Sequence, residues 1–331
     1  MKTLFDKDTW QEIFSSIEQN KVRTIITVIG VLWGIFLYIV LSGAAKGIDH
    51  GFERQFERIS SNSLFVWGQA TSVPYDGFKT GRWINFKLSD VTALKNRIPE
   101  IQHIAPRNSS GVFSGSKAQL VNGQKKGSYN IYGDFPIYTT IATKTIYDGG
   151  RFINESDIKA KRKVCVIGER TQQELFNEGE SPIGKFVRIN GIHFRIIGVT
   201  KFVDGGGFGD DGDIFLPFTT YQRLYNTGEY VDFLLVAAYP TADIVQVETN
   251  IRAVLKELHH VSPEDKRALG GFNIGKMFKQ ITKFASGMSF LSMVIGLATI
   301  LGGIIGIGNI LLISVKERTK EIGVRRAIGA T

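Results

Sequence analysis

Residues 284–315 read FASGMSFLSMVIGLATILGGIIGIGNILLISV, 32 consecutive positions without an aspartate, glutamate, lysine or arginine. A helix crosses a hydrocarbon core about 30 Å thick with about 20 apolar residues, so this stretch is long enough to span a bilayer. A helix of a soluble protein rarely goes uncharged on every face for so long, because its outer face meets water. Toward the N-terminus, residues 24–45, TIITVIGVLWGIFLYIVLSGAA, form a second uncharged run of 22 positions. A cleaved signal peptide fits that run poorly. It exceeds the usual apolar region of about 7–15 residues and ends in Ser42-Gly43-Ala44-Ala45-Lys46 without an A-x-A site. Lys46, Asp49, Glu53 and Arg54 then continue the pattern of a helix entering water. The sequence predicts two transmembrane helices that enclose residues 46–283.

Flanking charges orient them. Lys2, Lys7, Lys21 and Arg23 precede the first span, against Lys46, Arg54 and Arg58 after it; Lys316, Arg318, Lys320, Arg325 and Arg326 follow the second, against Lys276, Lys279 and Lys283 before it. Both comparisons put the termini in the cytoplasm and residues 46–283 outside. The whole chain carries a formal net charge of +9. Nucleic-acid binding would need a concentrated basic patch, and Lys161-Arg162-Lys163 and Lys125-Lys126 read instead as solvated turns.

Before the first span, Thr9-Trp10-Gln11-Glu12 has capping-box spacing, and Trp10, Ile13, Phe14 and Ile17 follow at helical intervals. This predicts a short amphipathic helix lying in the cytoplasmic lipid interface. Gly30 and Gly34 in the first span, and Gly302 and Gly306 in the second, stand at G-x-x-x-G spacing, which lets helix backbones approach closely in lipid. Between the spans, short strands and helices alternate. Residues 63–67 and 82–88 read as strands, Ser89-Asp90 opens a helix that Pro99 closes, and residues 119–132 read as a hairpin turning at Asn122-Gly123. A second run comprises strand 163–167, helix 169–176, and strands 185–189 and 192–200 joined by Asn190-Gly191. Residues 241–258 form an amphipathic helix.

Catalytic and metal chemistry is largely missing. Gly179-Glu180-Ser181-Pro182-Ile183-Gly184-Lys185-Phe186 has the glycines and lysine of a phosphate loop, but lacks the Ser/Thr for Mg²⁺ and feeds a strand rather than a helix. The five histidines, His50, His103, His193, His259 and His260, include no pair spaced to aim two imidazoles at one metal; His259-His260 read as a solvated helix end. Residues 204–213, DGGGFGDDGD, miss the spacing of a calcium loop and read as a flexible connection with Phe208 available to a substrate or partner. The single cysteine, Cys165, sits in the apolar run Val164-Cys165-Val166-Ile167 and reads as a core residue. No G-x-S-x-G elbow occurs, so an enzyme is the weaker class.

The end of the second span decides the function. Residues 302–331, GGIIGIGNILLISVKERTKEIGVRRAIGAT, strongly resemble the permease module of MacB-, LolC/LolE- and FtsX-type ABC transporters, through the string E-R-T-x-E-I-G-x-R-R-A-x-G-A. Residues 20–30 look like that family's entry into its first span. Residues 164–168 with Ser181-Pro182-Ile183-Gly184-Lys185 and Val199 look like its MacB-type periplasmic core. The resemblance implies a membrane α-helical protein with two transmembrane helices in this chain and an extracytoplasmic α+β domain of two subdomains, one inserted in the other. The expected divisions are a cytoplasmic N-terminal helix at 1–23, spans at 24–45 and 284–315, a periplasmic core at 46–283 with an inserted subdomain at about 131–230, and a cytoplasmic coupling segment from 316.

The resemblance also implies a non-catalytic permease subunit of the bacterial inner membrane that relays ATP-driven motion to its periplasmic domain, for export or extraction of a drug, a peptide or a lipoprotein-related substrate. Glu317, Arg318, Glu321, Arg325 and Arg326 are the residues it assigns to coupling. No cofactor is expected in this chain, ATP and Mg²⁺ belonging to an ABC-type ATPase on a separate chain. Further expected partners are a second permease copy or homologous permease, a periplasmic adaptor and outer-membrane channel, and membrane lipid. The family's permeases have four spans, so two more are expected beyond Thr331 or on a partner. The alternative is a two-span membrane sensor with a periplasmic ligand-binding domain, which would need a cytoplasmic output domain.

Overall fold

A computed structural model describes residues 21–56, 59–112, 115–202 and 210–329. The expected interfacial residues Trp10, Ile13, Phe14 and Ile17, and the loop residue Phe208, lie outside the described residues. In chain order the elements are helix α1 (Lys21–Phe56), β1 (Ser63–Gly68), β2 (Phe86–Lys87), α2 (Leu88–Arg97), β3 (Ile101–Ser110), β4 (Ala118–Asn122), β5 (Lys125–Tyr129), β6 (Ile131–Asp134), α3 (Tyr138–Ile141), α4 (Glu155–Lys159), β7 (Val164–Gly168), α5 (Glu169–Leu175), β8 (Phe186–Ile189), β9 (Ile192–Thr200), β10 (Ile214–Pro217), α6 (Phe218–Tyr225), β11 (Tyr230–Val231), β12 (Phe233–Ala238), α7 (Ile244–Leu258), β13 (Leu269–Asn273) and α8 (Ile274–Ala327). They form two compact units. One comprises the described residues up to Gly51 and from Ile281 onward; the other is Phe52–Gln280.

The first unit is a helix pair that leaves its apolar side chains exposed: Ile26, Leu32, Trp33, Ile39, Ile300, Ile304, Ile305 and Leu312 are all more than half exposed. A soluble core helix would bury such residues, whereas lipid solvates them at no cost. The expected first span, 24–45, falls inside Thr24–Arg54, and the expected second, 284–315, runs two residues past Ile274–Ile313; both of these stretches are helical and long and apolar enough to cross a membrane.

The second unit is built on an eleven-stranded mixed sheet ordered β13-β1-β12-β3-β6-β10-β7-β9-β8-β4-β5. The first four strands come from residues 63–110 and 233–273, and the other seven from residues 118–217, so the chain leaves the first group after β3 and returns to it at β12. Neighbours are antiparallel except β6–β10 and β7–β9. The inner strands are covered on both faces. All six residues of β12 and all five of β7, Cys165 among them, are buried, and these strands accordingly read as unbroken apolar runs. The outer strand β8 alternates exposed and buried residues, as a sheet with one wet face must. Burial raises the pKa of the Cys165 thiol and keeps it an inert core group. The helix α7 buries Ile244, Val247, Ile251 and Leu255, a stripe at helical spacing, and each such side chain contributes about 1.5–3 kcal/mol.

Local expectations met mixed outcomes. Ile189 pairs with Ile192 around Asn190-Gly191, both at positive φ (46° and 86°), the geometry a two-residue hairpin turn requires. The other hairpin turns one residue later than expected. Asn122 pairs with Lys125, so the loop is Gly123-Gln124 and Lys125-Lys126 open a strand rather than form a turn. Of residues 82–88, only Phe86–Lys87 are a strand; Trp83 makes an isolated bridge to Ala70. His259 is not a solvated residue: its Nε2 lies 2.8 Å from Asp90 Oδ2 and its side chain is 13% exposed, while His260 Nδ1 lies 2.6 Å from Asp76 Oδ2. The phosphate-loop look-alike leads into β8, with no helix to present amides.

Candidate functional site

Two groups of residues stand out: the seam between the long helices and a charged centre inside the sheet. In the seam, α1 and α8 run antiparallel, with Tyr38 beside Ser292 and Gly296, Gly34 beside Thr299, Val31 beside Gly303 and Thr27 beside Gly306. Thr27, Val31, Gly34 and Tyr38 recur at alternating steps of four and three, and so do Ser292, Gly296, Thr299, Gly303 and Gly306. That is the spacing at which two helices keep one face together. A Cβ on Gly34 would stand 1.9 Å from Thr299 Oγ1 and 2.7 Å from its Cβ, and one on Gly306 would stand 2.6 Å from Thr27 Cγ2. Glycine at these positions is what permits the approach. Ser292 Oγ adds a 3.2 Å hydrogen bond to the Tyr38 carbonyl. The sequence named four glycines for packing. Gly34 and Gly306 are in the seam, whereas a Cβ on Gly30 or Gly302 would meet nothing within 4 Å, so these two face away from it.

The charged centre lies where β3 meets β6, the joint between the two groups of strands. Arg107 donates from Nε to Asp134 Oδ1 (2.5 Å) and from Nη2 to Oδ2 (2.9 Å), with both side chains almost wholly buried. The guanidinium is caged by Tyr132 and Tyr138, 4.1 and 4.0 Å from their ring centroids, with Phe233 at 5.4 Å. Burial by itself would lower the arginine pKa, and the adjoining Asp134 carboxylate outweighs it, so Arg107 is held charged more firmly than an ordinary arginine. Burial pushes Asp134 upward, and Arg107 opposes that shift. Next to the pair, Asn108 accepts from Asp232 N at 2.9 Å and donates to the Tyr230 carbonyl at 3.0 Å, and Asp232 Oδ2 accepts from Ser109 N at 2.7 Å.

Asp213, at the entry to β10, accepts from Asn130 Nδ2 (3.1 Å) and Asp210 N (2.7 Å). Burial pushes its pKa up to about 6 despite those two donors. Its folded value thus exceeds the unfolded one, so the folded chain binds the proton more tightly. The stability this confers is complete at pH values below the unfolded pKa and is lost as pH rises through 6. Asp213→Asn, whose amide can pair with a flipped Asn130, is therefore expected to melt above wild type at pH 8 by up to about 3 kcal/mol and to converge with it near pH 4. Melting curves at the two pH values check this; a gap that is the same at both would refute the assignment.

The acidic loop gives no metal centre among its described residues. Asp210 and Asp211 pair with Arg170 at 2.8 and 3.1 Å, and no group of three or more His, Cys, Asp or Glu among the described residues could hold an ion. An open cavity of about 700 Å³ lies beside them, lined in part by Asn130, Tyr132 and Phe202.

Comparison with known proteins assigns the frame. The MacB-like periplasmic core domain matches residues 24–254, and the FtsX-like permease C-terminal matches residues 293–331. The chain belongs to the MacB-like periplasmic core domain family. A relative named macrolide export ATP-binding/permease protein MacB, from Bdellovibrio bacteriovorus, is 32% identical over 322 residues, which cover 96% of this chain and 48% of the relative. The pyoverdine export ATP-binding/permease protein PvdT of Pseudomonas syringae pv. syringae is 27% identical over 335 residues, 98% of this chain and 48% of that one. The chain thus spans about half the length of the curated relatives it matches. Among solved structures, the periplasmic region of MacB from Actinobacillus actinomycetemcomitans aligns with a TM-score of 0.53 at 22% identity, covering 68% of this chain and 95% of that one. The extracellular domain of the ABC-type transporter YknZ from Gram-positive bacteria aligns at 0.51 and 16%, covering 64% of this chain and all of that domain. Both share the fold.

The MacB-like match therefore covers the sheet unit up to residue 254 and runs back into the first span, and the FtsX-like match holds α8 beyond the seam's Ser292. The expected coupling residues Glu317, Arg318, Glu321, Arg325 and Arg326 all stand on the helical backbone of α8. The side chains of the first four lie outside the described residues; Arg326 is exposed. Reading the sequence missed Arg107 and Asp134. Their one signal was an arginine in the midst of the otherwise uncharged strand Ile104-Ala105-Pro106-Arg107-Asn108, which the sheet buries.

Proposed function

We propose that this chain is the permease part of a MacB-type ABC transporter of the bacterial inner membrane, relaying ATP-driven motion from a cytoplasmic ABC-type ATPase to its periplasmic core. The observation that carries this reading is the joint match of the MacB-like core and the FtsX-like permease segment, in that order, over residues 24–254 and 293–331. The helices fit the task. The 54 residues of α8 run without a break, about 80 Å at 1.5 Å per residue, while the hydrocarbon core takes up only about 30 Å of that length. A helix so much longer than the bilayer can carry displacement beyond it on either side. Its charged end, 316–327, holds the E-R-T-x-E-I-G string and would meet the ATPase. Such a relay works when two packings of the helices differ in contacts and nucleotide binding favours one of them. The cargo would be a small molecule, peptide or lipoprotein-related substrate. A second permease copy, a periplasmic adaptor and an outer-membrane channel complete the assembly.

The test is reconstitution of the full-length protein in nanodiscs with an ABC-type ATPase. The two should co-purify, and Glu321→Ala or Arg325→Ala should keep expression while lowering permease-dependent ATP hydrolysis about fivefold or more, the lower end of a typical coupling free energy. A full-length protein that recruits no ATPase would sink the transporter reading.

A further inference from the structure

Three phenylalanines join the long helices at their roots in the sheet unit. Phe52 and Phe56 lie one turn apart on α1 and are 8% and 5% exposed. Phe278, on the first turns of α8, meets both: its ring centroid is 4.7 Å from that of Phe52 at an interplanar angle of 72°, and 6.3 Å from that of Phe56 at 70°. Phe52 and Phe56 are themselves 4.7 Å apart. Edge-to-face rings at such distances are in attractive contact and have a defined geometry.

Each root is also fastened to the sheet unit, by different elements. On the α1 side, Ile59 bridges Ala142 and Ser60 N donates to the Ile141 carbonyl at 2.9 Å, at the end of α3. On the α8 side, Asn273 Oδ1 caps Lys276 N at 2.8 Å while its Nδ2 reaches Glu248 Oε2 at 2.8 Å, and Lys279 Nζ reaches Asp243 Oδ1 at 2.8 Å, both acids belonging to α7 or its cap. An axial pull on one helix would load its own anchor first. The ring cluster ties the two directly. Because Phe278 sits against two rings one turn apart, a slide of one helix past the other by a turn, about 5.4 Å, must unseat it.

We infer that the Phe52–Phe56–Phe278 cluster is a register pin that makes α1 and α8 move as one lever at their entry to the periplasmic core, with Phe278 as its positioning residue. This rests on the permease reading above and names the residues that keep its two helices in step.

The experiment uses the full-length protein with its ATPase in nanodiscs and spin labels at Arg54→Cys on α1 and Lys276→Cys on α8, both exposed and outside the cluster. The label distance is measured without nucleotide and with ATP plus vanadate. Wild type is expected to give one distance in both states. Phe278→Ala is expected to give distances that differ between the states by about 5 Å, one helical turn, with ATP hydrolysis within about twofold of wild type, a change smaller than a coupling residue would produce. Phe278→Leu, which keeps an apolar side chain in place, is expected to behave as wild type, which covers the case of an alanine variant that does not fold. A merely structural role would alter the distance equally in both states. That outcome, a Phe278→Ala distance independent of nucleotide, or a wild-type distance that changes with it, would overturn the pin. A full-length protein that recruits no ATPase overturns the permease reading, and this inference with it.

Discussion

Asp134→Ala is expected to destabilise the periplasmic core by about 3–5 kcal/mol, because it strands the Arg107 guanidinium in the interior without its counter-charge. The pair is bidentate, at 2.5 and 2.9 Å, and both side chains are excluded from water. The rings of Tyr132 and Tyr138 stabilise the cation from their faces, but no ring replaces a carboxylate. Arg107→Ala should cost a similar amount by leaving Asp134 buried and unpaired. Replacing both partners with leucine or methionine should recover much of the loss, since a well-packed apolar pair escapes the desolvation penalty altogether. Urea denaturation of the four proteins measures the cycle. A single-variant loss below about 1 kcal/mol, the scale of an exposed pair, would show that water reaches the site. The pair stands where β3 joins β6, and it is the registration of the two strand groups that we expect to loosen first.

The second large effect is a contrast between two glycines that look equivalent on paper. Gly34→Val should force the helices apart, because even its Cβ would overlap Thr299, whose own Cβ lies 2.7 Å away and cannot rotate out of reach. The cost is expected at about 1–3 kcal/mol of helix pairing, the usual penalty of overpacking. A Cβ on Gly30 would meet nothing within 4 Å, so Gly30→Val should leave the pairing intact. The measurement is disulfide formation between Val31→Cys and Gly303→Cys, since a Cβ on Gly303 would lie 3.3 Å from Val31 Cγ2. Efficient cross-linking in the Gly30→Val background and its loss with Gly34→Val are the expected results. Equal cross-linking in both would mean that the seam is not where the structure places it.

Much of this protein is legible in its sequence, and the physical reasons differ by element. The spans were readable because lipid tolerates no unpaired charge, so an absence of four residue types over 22 and 32 positions already excludes water on every face. Strand β9 was read at 192–200 because alternation and an Asn-Gly turn are both local signals, and the structure has Ile192–Thr200. The neighbouring hairpin was misplaced by a residue because Asn122-Gly123 resembles a turn at least as well as Gly123-Gln124, and the choice between them is made by cross-strand pairing with Lys125. His259 departs from its expected solvation for a similar reason. A helix end is normally wet, but α2 brings Asp90 to it from 169 residues away.

The sequence by itself determined that this chain carries two candidate membrane spans, that an α/β domain lies between them, and that residues 302–331 resemble ABC permeases. Those properties follow from composition and short-range order, which one chain segment expresses alone. The tertiary structure decided which glycines touch, that Arg107 finds Asp134, and that Phe278 reaches Phe52 across more than 200 positions of chain. Each of these depends on where two distant backbones come to lie. That placement is set by the packing of the whole eleven-stranded sheet and of the antiparallel helix pair, which no local window contains.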